Sequence, residues 1–355
     1  MQRHRFAMSE SFAAALTQLG PESDVVITSR VRFARNLRGF PFTSRASSAV
    51  RQEIMRLARR AVEQSGQRTE SECAMRWIDL QTSTPRDRQL LCERHLVSKH
   101  FASLDAPRAL ALSADEHVSM MINEEDHLRI QAIGAGACTR ECFARAAGME
   151  RALARTLLFA FHERWGFLTA CPTNVGSGIR ISAMLHLPAL TLLKELERVK
   201  RAARELHLAV RGFHGEGSES LGDLYQFSNQ TTLGSTDEAL LNEFHGSVLP
   251  RLVQYEREAR QVAINKVRVR MEDLVHRALA TLRSARLISS ESAVRDLCRV
   301  RLGVVLGLLP TNLATIQRLL LQVQPAHLSV LHPQALEGDE TERELRATLI
   351  RAALG

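Results

Sequence analysis

The run Asn123-Glu124-Glu125-Asp126-His127-Leu128-Arg129 decides how this chain reads. It follows the apolar stretch Val118-Ser119-Met120-Met121-Ile122 and leads into Ile130-Gln131-Ala132-Ile133, so four acid or imidazole side chains sit between two strand-like segments. Burying such groups is costly, which predicts a strand edge opening onto a cleft with something cationic in it. Taken alone, the seven residues read as a solvated polar turn. Their company changes that reading.

Three further stretches are as heavily loaded: Thr28-Ser29-Arg30-Val31-Arg32, the run from Cys171-Pro172-Thr173-Asn174 through Gly176-Ser177-Gly178 to Arg180, and the run from Arg211-Gly212-Phe213-His214 to Glu216 and Glu219. Together with the first, in this order, they resemble the signature set of the ATP:guanidino phosphotransferases, and within that family most closely its bacterial protein arginine kinase branch. The likeness runs from about residue 22 to the C-terminus. It implies a mainly antiparallel, saddle-shaped sheet flanked by helices, followed by a helical domain that supports dimers.

Length and composition agree with that outline. The chain has 355 residues, 45% hydrophobic and 24% charged, which suits one large domain and a smaller one in a soluble protein. The apolar run Leu302–Leu309 is too short to span a bilayer. At the N-terminus, Ser9, Glu10 and Ser11 interrupt any apolar core that a secretory signal needs. Six scattered cysteines fit reduced thiols, and a cytoplasmic location is expected. The net charge of +8 raises a nucleic-acid partner, but the arginines are spread along the chain and aromatic residues are only 5%, so capture of ATP or acidic partners is the better reading and no direct nucleic-acid binding is expected.

Periodicity outlines α+β. It predicts a helix over 8–18, a strand from Asp24 that delivers Arg30 and Arg32 to one face, a helix over 47–64, a strand at Met75–Asp79 and a helix from Thr84 to about His95. Two strands follow at Ala109–Leu112 and His117–Ile122, then a helix over 139–165, a strand at Ile179–Leu187, a helix at Ala189–Glu205 and a strand at Leu206–Val210. Glycines 212, 215, 217 and 222 mark a mobile loop, and Ser235 with Glu238 suggest a capping box for the next helix. Helical spacing then persists to the end, which divides the chain into 1–265 and an α-helical 266–355.

Phosphoryl transfer asks a protein to align the reactants and neutralise charge. Arginine is suited to the second task because its planar fork binds phosphate oxygens bidentately and stays charged. The resemblance implies that Arg30, Arg32, Arg129, Arg180 and Arg211 hold the nucleotide phosphates, with Ser29, His95 and the backbone of Gly176-Ser177-Gly178 close by. It implies Glu125 as the base and Glu216 as a second ligand of the acceptor guanidinium, with the Cys171 thiol orienting it. ATP and Mg²⁺ are the implied cofactors, the ion carried by the nucleotide with no dedicated metal site on the protein. With its first signature arginine already at position 30, the chain has no room for an N-terminal domain that closes over a small guanidino substrate, which favours protein substrates presenting arginine. The branch further implies a homodimer, a zinc-binding activator protein, and stress-response substrates, including a heat-shock repressor, handed to a Clp-type protease. Two alternatives stay open: a phosphagen kinase for a small guanidino compound, and a non-catalytic arginine- or nucleic-acid-binding protein.

The chain also departs from the pattern. Ser177 stands where relatives carry threonine, and His214 at a position usually aromatic or basic. The branch carries a C-terminal motif of two arginines four apart that binds phosphoarginine, and here Arg346 has Glu342 as its partner. A carboxylate there repels phosphate, so weakened phosphoarginine sensing is expected, with partial rescue if Arg343 reaches the same helix face.

Overall fold

The structure, a computed structural model, describes residues 13–66, 75–212, 221–332 and 339–355. Among them are ten strands: β1 (Val26–Arg35), β2 (Met75–Asp79), β3 (Ala109–Ser113), β4 (Val118–Ile122), β5 (Leu128–Ala135), β6 (Phe161–His162), β7 (Gly166–Phe167), β8 (Ile179–His186), β9 (Leu208–Gly212) and β10 (Leu224–Asn229). Eight form one sheet in the order β2-β3-β4-β5-β1-β8-β10-β9, with every pairing antiparallel, while β6 and β7 make a separate hairpin. With its covering helices and a helical C-terminal region, the chain is α+β as its periodicity indicates.

Residues directly opposite one another on antiparallel strands share a face, so the register assigns every side chain. One face carries Val31, Phe33, Ile130, Ala132, Ile181, Ala183 and Phe227, all buried. The amphipathic helix Ser48–Gly66 packs there through Ile54, Ala58, Ala61 and Val62, beside Ala146 and Leu153 of the helix Thr139–Ala154. On the other face, Arg32 lies opposite Arg180 and Gln131, Arg30 opposite Ser182, and Arg211 opposite Gln226. Arg129 is in step with Gln131 on β5, so all five signature arginines project from this second face.

Several boundaries differ from expectation. The helix expected to 165 stops at Ala154, because Phe159, Phe161 and Phe167 stack edge-on across the β6–β7 hairpin and Gly166 takes a left-handed turn (φ 73°). Ala189–Glu205 is two helices, Pro188–Leu192 and Leu196–Glu205, separated by Lys194 at φ 61°. Thr236, not Ser235, caps the helix Asp237–Glu243 and accepts from Ala239 N at 3.1 Å. The glycine-rich segment hides β10, which ends with Asn229 accepting from Ile181 N at 2.8 Å.

The helix Leu249–Ser284 leads into the C-terminal helices and leaves helical geometry only at Val267. Those helices cover part of the arginine face: Ile27, Met184 and Leu224 of the sheet side share an apolar cluster with Val294, Ile316 and Leu319. Polar ties hold them as well. Glu93 accepts from Ala326 N (2.8 Å) and His327 N (3.0 Å), and Arg301 donates to Asp24 O at 3.0 Å.

The Arg346–Glu342 position is buried, not a solvated surface. Both side chains are buried and paired with each other, and Arg346 also donates to Val323 O (2.8 Å) and Ile288 O (3.0 Å). Arg343 is exposed, so it does not share the buried face of Arg346. Glu342→Ala strands a buried guanidinium and is expected to lower unfolding stability by about 3–5 kcal/mol, read by urea denaturation. Glu342→Arg should be worse, since it opposes two buried cations.

Candidate active site

The acidic run forms the loop between β4 and β5, and most of it is tied down. Asn123 takes φ 65°, a conformation asparagine tolerates, and donates through Nδ2 to Arg51 O (2.8 Å) and Pro107 O (3.0 Å). His127 Nδ1 accepts from Leu37 N at 2.9 Å, so Nε2 carries the proton and donates to Pro41 O at 2.8 Å. Asp126 accepts from Asn36 Nδ2 (2.6 Å) and Ala170 N (2.7 Å), which joins this loop to the one bearing Cys171. Glu124 accepts from Ser98 Oγ (2.7 Å) and pairs with Arg129 Nη1 at 2.6 Å. Burial works to raise the Glu124 pKa, but the Arg129 charge and these bonds outweigh it and hold it below the usual carboxylate range.

Glu125 is the one exposed acid of the run, and its carbonyl accepts from Thr43 Oγ1. Partial burial first, then the adjacent Asp126 charge, push its pKa up against the pull of Arg129. A carboxylate held in place with its pKa raised is a better proton acceptor near neutrality than an ordinary one.

Beside it lies a concentration of positive charge. Burial, then Arg129, Arg180 and Arg211, push the Arg30 guanidinium down to about 9, which still leaves it charged at neutral pH. Arg32 is also depressed well below its ordinary value, by burial first and then by Arg30, Arg129 and Arg180, with Glu124 opposing, and its Nε is buried without a hydrogen-bond partner among the described residues. Second residues aim these side chains: Gln226 Oε1 accepts from Arg30 Nη2 at 3.1 Å, and Ser228 Oγ accepts from Arg180 Nε and Nη2 at 3.2 and 3.0 Å. Such an array of like charges is complete only with a polyanion in it.

A cavity of about 710 Å³ opens over this face, lined by Arg30, Arg32, Arg211 and His95 together with residues of the helices at 85–103 and of the C-terminal helices. Its size is that of a site for a nucleotide-sized ligand. His95 is fixed by a left-handed backbone (φ 56°), and its carbonyl accepts from Gln131 Nε2 at 2.7 Å.

Cys171 sits at the same end of the sheet as Glu125, its Sγ 3.0 Å from Thr173 Oγ1. Gly176 (φ 112°) and Gly178 (φ 65°) are required by the chain itself, since an added Cβ would stand 2.6 Å from Thr232 O and 2.7 Å from Arg35 Nη1 respectively. Arg35 also donates to Ser177 O at 3.0 Å and stacks on Phe167, which fixes the loop. Ser29 does not join the site. It is fully buried on the opposite face, where its Oγ donates to Gly136 O at 2.7 Å and accepts from Cys138 N. Glu216 and His214 lie outside the described residues. Sequence reading missed Glu124, Gln226, Ser228 and Arg35, whose roles arise from cross-strand and loop contacts that no local spacing announces.

Among the described residues, no group of three His, Cys, Asp or Glu side chains is placed to hold a metal, and no helix is long and apolar enough to cross a membrane. The donor set is cationic, which suits phosphates that bring their own Mg²⁺.

Comparison with known proteins agrees with this geometry. Residues 54–259 match the family model described as ATP:guanido phosphotransferase, C-terminal catalytic domain, and residues 268–355 match that of the protein-arginine kinase McsB C-terminal domain. The protein-arginine kinase of Halalkalibacterium halodurans is 39% identical over 355 residues, covering 100% of this chain and 98% of the relative. That of Symbiobacterium thermophilum is 40% identical over 337 residues, 94% of each. Among solved structures, the duplicated taurocyamine kinase of Schistosoma mansoni superposes with a TM-score of 0.59 at 25% identity over 74% of this chain and 39% of that one. A lombricine kinase, at 23% identity and covering 71% of each chain, shares the fold with a TM-score of 0.58.

Proposed function

We propose that this chain, which belongs to the ATP:guanido phosphotransferase family, is a protein arginine kinase that moves the γ-phosphate of ATP to the guanidinium of arginine side chains in other proteins. The observation that carries the reading is one sheet face from which five arginines project, with the exposed Glu125 in the loop that enters β5 and within the influence of the Arg129 charge.

In this account Arg30, Arg32, Arg129, Arg180 and Arg211 hold the phosphates of MgATP, with His95 and the Gly176-Ser177-Gly178 backbone nearby. Bound Mg²⁺ supplies further neutralisation of phosphate charge. Glu125 and Glu216 hold the acceptor guanidinium flat, and Cys171 orients it. A guanidinium has a pKa above about 12, so its nitrogen lone pair becomes available only as a proton leaves. Glu125 takes that proton while the N–P bond forms and the bond from the γ-phosphorus to the β-bridging oxygen breaks, leaving ADP. The arginines neutralise the charge that spreads over the transferring group.

A protein acceptor is supported by exposed apolar side chains, Leu158 just before the β6–β7 hairpin and Phe161 and Trp165 in it, the hairpin being bonded to the signature loop through Phe167 N and Gly176 O at 2.7 Å. We place the division between catalytic and C-terminal domains at 265/266. The buried Arg346–Glu342 pair supports the reading that phosphoarginine sensing is weakened in this chain. A homodimer, a zinc-binding activator, delivery of substrates to a Clp-type protease in the stress response, and a cytoplasmic location are proposed on the family resemblance alone.

The reaction should also run backward, because the P–N bond of phosphoarginine is high in energy. Purified protein given ADP and a phosphoarginine-bearing protein is expected to make ATP, and a luciferase readout that stays at background would count against in-line transfer at this site.

A further inference from the structure

We propose that Cys138 and Cys142 form a dithiol site that hydrogen peroxide oxidises to an intrachain disulfide, on the sheet face opposite the five arginines. The site is independent of the kinase chemistry.

Cys138 is the N-cap residue of the helix Thr139–Ala154 and Cys142 lies one turn further on, so the two thiols share one side of its first turn. Their sulfurs are 3.7 Å apart. The pair packs against the junction of β1 and β5. Cys138 N donates to Ser29 Oγ at 3.1 Å, and Cys142 Sγ lies 3.5 Å from Ser29 O. Gly134 is opposite Ser29 in the register and makes the space, since a Cβ there would stand 2.4 Å from the Cys138 sulfur and 3.3 Å from that of Cys142. Cys138 is partly exposed and Cys142 is buried. One thiol can meet a small oxidant while the other waits behind it.

The two thiols are unequal. A hydrogen bond from Cys142 lowers the Cys138 pKa, against burial and the Glu141 charge, while the same contact and then burial raise that of Cys142. Elsewhere burial pushes Cys92 up to about 11 and Cys298 up to about 12. The thiolate is the nucleophile, so Cys138 reacts first. Its sulfur attacks one peroxide oxygen, the O–O bond breaks, and the second oxygen leaves as water with the thiol proton, giving a sulfenic acid on Cys138. The Cys142 sulfur then attacks that of Cys138. The S–S bond forms, the S–O bond breaks, and the hydroxyl leaves with the Cys142 proton as a second water. Two electrons pass from the thiol pair to the peroxide. The sulfurs must close to about 2.05 Å. Cys138 lies outside the regular helix (φ −117°, ψ 41°), so its end of the first turn can supply the movement.

The test treats the full chain, reduced and freed of reductant, with hydrogen peroxide, blocks it with iodoacetamide and cuts it with trypsin without reduction. Arg140 lies between the two cysteines, so the disulfide is expected to join tryptic peptides 130–140 and 141–145, and dithiothreitol to separate them. The link should form ~10-fold or more faster than Cys92 or Cys298 is oxidised. That advantage should vanish in urea, where the fold that sets the two thiols apart from the others is gone. In Cys142→Ser the second thiol is missing, and dimedone should capture a sulfenic acid on Cys138 that it does not capture in the unmutated chain. Recovery of both cysteines alkylated once Cys92 is oxidised, or Cys138 bonded to any other cysteine, overturns the proposal. A link with the same advantage over Cys92 in urea as in the folded chain overturns it too.

Discussion

Glu125→Gln is expected to lower kcat for arginine phosphorylation by about 10²–10⁴-fold, the usual range for loss of a positioned general base, with nucleotide affinity and Tm unchanged. Binding and stability should hold because the loop is fastened by other members. Asn123, Glu124, Asp126 and His127 make its side-chain hydrogen bonds, while Glu125 is exposed. A pH profile adds a second readout. The Glu125 pKa is raised in the folded protein, so activity should fall as pH drops through a value above the ordinary carboxylate range. Glutamine has no such titration, and its residual rate should lose that acid limb. Near-normal phosphorylation by the variant would place the base elsewhere.

Arg32→Ala should have the opposite profile, raising KM for ATP by about 10²-fold or more and lowering kcat as well, while leaving the free protein no less stable. Charge-assisted hydrogen bonds contribute roughly 1.5–3 kcal/mol each, and Arg32 is placed to make more than one to phosphate. In the free protein, however, Arg32 faces Arg30, Arg129 and Arg180 and keeps Nε unsatisfied. Removing it relieves repulsion that Glu124 offsets only in part. Saturating ATP stabilises a binding protein by about 2.7 kcal/mol at a hundred times Kd. That thermal shift should disappear in Arg32→Ala, and an undiminished shift would separate the nucleotide from this face.

How much of this was legible before any coordinates depends on the range over which each feature is determined. The alternation of Arg30 and Arg32 fixed their common face, and apolar spacing found the helix Ser48–Gly66 to within two residues, because both are local periodicities. The β4–β5 loop could be located but not oriented. Which of its acids faces the cleft depends on Asn36, Ser98 and Ala170, all far away in the chain. Ser29 was misplaced for the same alternation that placed its neighbours, since a residue adjacent to Arg30 must point the other way. β10 escaped because its entry is masked by glycine and its role, to aim Arg30 and Arg180, is exercised across strands. The burial of Arg346 was invisible because its carbonyl partners belong to Ile288 and Val323, outside its own helix.

The central claim is transfer of phosphate from ATP to arginine side chains of proteins. Its most direct test is incubation of the purified chain with ATP, Mg²⁺ and an arginine-rich protein, with ADP release followed and the phosphorylated residues mapped by mass spectrometry under conditions that preserve acid-labile bonds. Phosphoarginine on the acceptor protein, formed in step with ADP and missing with Glu125→Gln, is the result this account predicts. ADP released without phosphoarginine, phosphate found only on hydroxyl side chains, or transfer confined to free arginine would contradict it.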